Sequence, residues 1–253
     1  MTRLESILRP DWPLPPTVRA AVTTRHGDGA SRAPFDTFNL GARCGDDGDA
    51  VADNRARLIE HLALPSPPSW LRQVHGTGVA TFDSPNAEEP EADASFTRSA
   101  GTVLAILTAD CLPILIAADD GSAIVAAHAG WRGLAAGVIE ASVACFDDPS
   151  SVSAWIGPGI GARSYEVGDE VRTAFVDHDA GAAAAFAPTR PDHWHCDLAA
   201  LARRRLDALG IARVFGGNID THGDPRFYSY RRDGRTGRFA SLVWIDDPTP
   251  RMR

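Results

Sequence analysis

The chain has 253 residues, 44% of them hydrophobic and 23% charged, and a formal net charge of −8. That composition builds a sizeable core and excludes a disordered or fibrous chain. The negative balance repels phosphate backbones, and the basic runs at 203–205 and 231–232 are too short to reverse that field, so no nucleic-acid partner is expected.

The most apolar stretches, 103–107 and 112–118, are separated by Asp110 and fall short of the ~20 residues a membrane span needs, so no membrane association is expected. Residues 1–16 carry charge and four prolines without the apolar run of a secretory signal. Cys44, Cys111, Cys145 and Cys196 form no C-x-x-C pair and read as reduced thiols of a cytoplasmic protein. The oligomeric state stays open between monomer and dimer.

In chain order, a first strand is predicted over 18–23, followed by a long polar, glycine-rich segment over 25–49. A segment of that length in a folded domain reads as a functional loop or a surface excursion. The spacing of Val51, Leu58, Ile59 and Leu62 predicts a helix over 50–64, stopped by Pro65. Short apolar runs bounded by Gly, Pro or Asp predict strands over 70–74, 79–82, 102–108, 112–117 and 123–127. A helix over 133–146 and a buried strand over 152–156 come next. Helices follow over 165–176 and 197–209, the second with Asp197 as N-cap and Gly210 as its stop. Strands over 214–216, 227–231 and 239–245 close the chain. This mixed order points to an α+β fold with layered sheets, in one domain spanning 1–253.

Three strand-end segments carry side chains able to bind a metal beside small residues: RQVHG with His75, TADCLP with Cys111, and AAHAGWRG with His128. Two imidazoles and a thiolate suit a borderline-soft ion such as zinc, and three ligands leave a fourth position for water or substrate. Spacings of 36 and 17 positions are not diagnostic alone, since a cysteine in an apolar strand usually fills a core.

The strings LRQVHG, TADCLPILI, AAHAGWRG, IGPGIGARSYEVG and FYSYRRDGRTGR together resemble the YfiH family, also called laccase-domain or multicopper polyphenol oxidase proteins. The likeness runs from Phe35 to Ile245. It implies an α-β-β-α layered sandwich with mixed sheets. It also implies a zinc site, or a copper site, on His75, Cys111 and His128. One departure is Asp220-Thr221, where the family often has Cys-Thr, which removes a further thiol.

Around these ligands, Asp110 reads as an acid/base, as an acceptor fixing an imidazole, or as a turn aspartate. Arg132, after a Gly-Trp step at a strand-to-helix turn, reads as an anion contact, and Cys111 and Asp110 join it as catalytic candidates. Asn39, Arg43 and Gln73 are candidate substrate contacts, with loop scaffolding as the alternative. The run Gly157-Pro158-Gly159-Ile160-Gly161 lacks the following helix and the G-K-S/T ending of a phosphate loop, and reads as a tight turn near the pocket. His193-Trp194-His195-Cys196 is not expected to bind a second metal.

The resemblance implies phosphorolysis of purine nucleosides (adenosine, inosine, guanosine and methylthioadenosine), with adenosine deamination as a second activity. The partners would then be a nucleoside and phosphate. Copper-dependent oxidation of polyphenols is the alternative its name suggests, although eight histidines are few for a multicopper centre. Hydrolytic editing of peptidoglycan precursors is a third reading.

Overall fold

The computed structural model describes residues 7–246. Alternation along the strands decides its architecture. Every residue of strand β6 (Leu112–Ala118) is buried, yet its side chains divide between two cores. Leu112, Ile114, Ile116 and Ala118 enter one, Leu115 and Ala117 the other. A strand covered on both faces lies inside a sandwich, one face against a second sheet and one against helices.

The first sheet has four antiparallel strands in the order β1-β2-β13-β5, made of β1 (Ile7–Leu8), β2 (Val18–Thr23), β13 (Phe239–Ile245) and β5 (Val103–Thr108). The second has six strands in the order β12-β8-β6-β7-β4-β3. Its members besides β6 are β3 (Val79–Thr81), β4 (Ala94–Thr97), β7 (Ile124–Ala129), β8 (Val152–Ile156) and β12 (Val214–Gly216). Its edge pairs β12–β8 and β3–β4 are parallel and the others antiparallel, so it is mixed.

Between the sheets, Val18, Ala20, Val22, Leu104, Ile106 and Val243 meet Leu115, Ile124, Ala126 and Trp155. On the outer face of the four-stranded sheet, helix α1 (Gly48–Leu62) lays Leu58, Ile59 and Leu62 over Ala21, Val103, Ala105 and Leu242. The six-stranded sheet is covered by α2 (Trp131–Ala136), α3 (Val138–Val143), α4 (Asp169–Val176) and α5 (Leu198–Ala208), through Leu134, Ile139, Val171 and Leu201. A small sheet, β10-β11-β9, made of β9 (Glu166–Gly168), β10 (Phe186–Arg190) and β11 (His193–Cys196), packs beside them. The expected α-β-β-α layering is therefore the observed one.

Several expected elements differ. The strand over 70–74 is reduced to isolated bridges at Ser69 and Arg72. There the Gln73 side chain replaces backbone pairing, its amide donating to Leu107 O at 2.8 Å while Leu107 N donates to its Oε1 at 2.9 Å. The helix over 133–146 is two helices, α2 beginning earlier at Trp131 and broken from α3 by Gly137 at φ 104°. The helix over 165–176 starts only at Asp169, because residues 166–168 pair with β11. The strand over 227–231 gives way to the short helix α6 (Tyr230–Asp233), whose N-cap Ser229 accepts from Arg232 N. Strands β1, β4, β10 and β11 fall where no strand was expected. Asp197 does cap α5, accepting from Ala200 N at 2.9 Å, and among the described residues no helix is long and apolar enough to cross a membrane.

Leu115 is fully buried between the sheets. Leu115→Ala should lower the free energy of unfolding by about 2–5 kcal/mol, measured as the shift of a urea transition, because the rigid sheets cannot collapse onto the gap.

Candidate metal centre

The layering brings three distant segments to one end of the sandwich. His128 is the fifth residue of β7 and shares the inner face with Ile124 and Ala126. Cys111 immediately precedes β6, the neighbour of β7. His75 lies in the turn between the Gln73 clip and β3, with a left-handed backbone at φ 63°. The ligand atoms of the three residues all lie within 4.8 Å of one another. His75 Nε2 is 3.9 Å from Cys111 Sγ, and the two imidazole rings stand 4.7 Å apart at 77°.

In a tetrahedral zinc site with Zn–N of about 2.0–2.1 Å and Zn–S of about 2.3 Å, donor atoms sit roughly 3.3–3.6 Å apart. The group, with separations of up to 4.8 Å, must contract by roughly 1 Å at the widest to hold such an ion, and its donor types fit. It is the one group of three such side chains among the described residues. Gly130 forms its floor: a Cβ there would stand 2.8 Å from His75 Cδ2 and 3.0 Å from Cys111 Sγ. The neighbouring Gly133 is needed for a similar reason, since its Cβ would lie 2.8 Å from Gly76 O.

Asp93, just before β4, organises the group. Its fully buried carboxylate accepts from His128 Nδ1 at 2.8 Å and from His75 N at 2.9 Å through Oδ1. Through Oδ2 it accepts from Gly76 N at 2.7 Å and Val74 N at 3.1 Å. One carboxylate thus fixes the His128 tautomer, leaving Nε2 for an ion, and holds the strained turn that presents His75. Burial alone would raise its pKa, but the hydrogen bonds from His128 and the turn outweigh that and hold Asp93 ionised.

Cys111 shows the same contest. Burial pushes the thiol up, while the charge of His128 and hydrogen bonds from both imidazoles bring it down to about 6. Burial would depress His128, but the Cys111 thiolate and Asp93 raise it to about 9. Without an ion the two favour a thiolate–imidazolium pair.

Beside this group opens a cavity of about 540 Å³. Trp131, Arg132, Ile160, Tyr165, Tyr230 and Arg231 line one side, and Arg43, Cys44, Arg55, Leu71 and Arg238 the other. Arg132 is exposed, lies over the Trp131 ring at 4.5 Å and makes no ion pair among the described residues. Arg43 reaches the cavity and pairs with Glu89. Gln73 lines it too, although its amide is occupied by Leu107. Asn39, expected as a substrate contact, is fully buried outside the lining. Its amide donates to Gly41 O and Asp46, and its Oδ1 accepts from Gly41 N and Arg238 N, so it braces the 39–46 loop.

Of the roles read for Asp110, the observed contacts fit the turn aspartate, at φ 94° in the bend before Cys111. Its Oδ1 accepts from the Thr221 hydroxyl at 2.7 Å and its Oδ2 from Arg231 N at 2.6 Å, which ties α6 to the ligand-bearing bend. Both oxygens are engaged, and Asp93, not Asp110, fixes the imidazole. The Gly157–Gly161 run is a turn, as read: Ile160 N donates to Asp110 O, and Gly161 N to Asp220 Oδ1. Asp220, the departure from the family string, also accepts from Ser164 Oγ and His222 N, so it serves as a turn clamp. His193 and His195 lie on β11, away from the metal-binding group.

Two outcomes follow from this geometry. Asp93→Asn sets an N–H against donors that now face an oxygen, and should weaken zinc retention about 10–100-fold in competition with a chromophoric chelator. Unchanged affinity would remove Asp93 from the site. Burial tends to raise Asp220, but hydrogen bonds from Gly161, Ser164 and His222 hold it below its ordinary 3.8. Its contribution is therefore present above pH 3.8 and lost as pH falls through the lower folded value. The stability gap between wild type and Asp220→Ala, read from urea curves, should shrink on acidification in that range.

Comparison with known proteins places this geometry in a family. Residues 19–246 match the family model described as multi-copper polyphenol oxidoreductase laccase. A Xylella fastidiosa protein named purine nucleoside phosphorylase is 53% identical over 94% of this chain and 96% of its own length. The Escherichia coli purine nucleoside phosphorylase YfiH is 48% identical, over 96% of this chain and all of its own. A crystal structure of a Neisseria meningitidis protein of the DUF152 family superposes with a TM-score of 0.90 at 40% identity, covering 96% of this chain and all of that one. With its fold, its motifs and its relatives in agreement, the chain belongs to the laccase-like YfiH/DUF152 family.

Proposed function

We propose that this protein is a zinc-dependent purine nucleoside phosphorylase acting on adenosine, inosine, guanosine and methylthioadenosine, with adenosine deamination as a second activity. The observation that carries the reading is a two-histidine, one-cysteine group at the wall of a cavity that also exposes the guanidinium of Arg132, which has no ion-pair partner among the described residues. Relatives about half identical to this chain are named for that reaction.

His75, Cys111 and His128 would hold the ion, with Asp93 keeping the His128 ring in place. A bound divalent ion supplies Lewis-acid polarisation of a substrate oxygen. Arg132 binds phosphate as a charge-assisted donor and aligns it with the ribose carbon. A phosphate oxygen bonds to that carbon as the glycosidic bond breaks, and the purine departs with the bonding pair and takes up a proton.

The Asp110 carboxylate is committed to Thr221 and Arg231 N, so it positions α6 rather than supplying that proton. Tyr165 lines the cavity, and burial holds its phenol well above the ordinary tyrosine value, in the neutral, hydrogen-donating form. Its hydroxyl is then the donor offered to the departing base. The oxidase reading gains nothing from the remaining histidines. Among the described residues His193 bonds to Pro191 O and His61 stacks on Phe38, apart from the three-ligand group.

Zinc-loaded protein should release free base from inosine only when phosphate is present. Cys111→Ala and His128→Ala should lose both the metal and turnover. Arg132→Ala should raise the KM for phosphate about tenfold, the worth of one charge-assisted hydrogen bond. Full turnover in metal-free variants, or phosphate-independent cleavage of a cell-wall precursor in its place, would overturn the proposal.

A further inference from the structure

Five arginines line the cavity, Arg43, Arg55, Arg132, Arg231 and Arg238, in a chain whose net charge is −8. The lining holds one carboxylate, Asp110, which is engaged internally. The arginines fall into two groups by the partners they hold. Arg132 opens α2 and Arg231 lies in α6, with its guanidinium 5.0 Å from the Tyr165 ring, on the side of the metal-binding group.

The other three gather around the 40–43 segment that leads into α1. Arg55 donates to Leu40 O, Arg238 packs its side chain against Gly41, and Arg43 and Arg55 share Glu89. Arg43 and Arg55 share the one carboxylate of Glu89, and Arg238 makes no ion pair among the described residues. Arg55 is fixed in place by Glu89 and by the Trp70 ring at 4.3 Å. Among the described residues, Arg238 spends only Nη1, on the Thr236 and Gly237 carbonyls. Guanidinium N–H groups of Arg43 and Arg238 are therefore left to receive a ligand.

Phosphorolysis needs one inorganic anion beside the ribose carbon, which the Arg132 side supplies. The second arginine group has no task in that reaction. We infer that Arg43, Arg55 and Arg238 form a second anion subsite that receives a phosphate carried by the substrate itself, so that the cavity accepts purine nucleoside 5′-monophosphates in addition to nucleosides. At about 540 Å³ the cavity is in the range that holds a ligand of this size. Because it names the substrate class, the inference rests on the nucleoside reading above.

The test is equilibrium binding by titration calorimetry with zinc-loaded protein, comparing adenosine with adenosine 5′-monophosphate. The monophosphate should bind about tenfold more tightly at low salt, and the advantage should shrink as ionic strength rises. In Arg43→Gln/Arg238→Gln the ratio of the two affinities should fall to about one. Arg43→Lys, which keeps the charge and loses the planar fork, should give an intermediate ratio. A thermal melt of each variant checks that it is folded, and the salt dependence in wild type tests the idea without any variant. Equal affinity for the two ligands, or an advantage that survives in the double variant, overturns the second subsite alone. If neither ligand binds, the nucleoside reading falls and this inference with it.

Discussion

One buried carboxylate holds the candidate centre together. Asp93 accepts four hydrogen bonds, one from the His128 ring and three from consecutive backbone amides around His75. A buried carboxylate is costly unless its lone pairs are met, and here nearly every position is filled by a donor that also places a ligand. The left-handed conformation of His75 persists because its own N–H and those of its neighbours are captured together. Oδ1 alone takes both the His128 ring N–H and the His75 backbone N–H. Two of the three ligands, distant in sequence, are thereby placed by a single side chain.

Much of this was legible in the sequence. The strands over 18–23, 152–156, 214–216 and 239–245 appear with those bounds, because continuous apolar runs between turn residues leave a buried strand as the sensible solution. His75, Cys111 and His128 were picked out by their place beside small residues and by the family strings. Asp93 was not, because an aspartate before a short strand looks like a turn residue until the chain folds. Its one local clue is that Asp93-Ala94-Ser95 carries a lone charge into a run of small residues. The 39–46 loop was left between two readings for a related reason: Asn39 and Arg43 look alike as polar loop residues, and only tertiary packing makes one a brace and the other a cavity wall.

The misassigned elements share a cause. At 70–74, at 165–168 and at 227–231, local pattern competes with bonds made to distant residues. Gln73 takes the pairing of Leu107, Glu166 to Gly168 take that of β11, and Arg231 N is captured by Asp110. Each of these segments borders the cavity. Local propensity yields there because the chain must bend to leave room for a ligand, and long-range hydrogen bonds stabilise the bend.

The position of Asp93 at the entry to β4 has one more consequence. Ala94 stands opposite Ala127 across the β4–β7 ladder, and Asp93 O accepts from His128 N at 2.7 Å. A slip of β4 by one residue would turn the carboxylate to the helical side of the sheet, and a slip of two would carry it about 7 Å beyond the imidazole. Short strands of small side chains are prone to such misalignment. Tight capture of an ion is thus tied to the native alignment of this edge, and metal content would serve as a sensor of correctly assembled β structure during refolding.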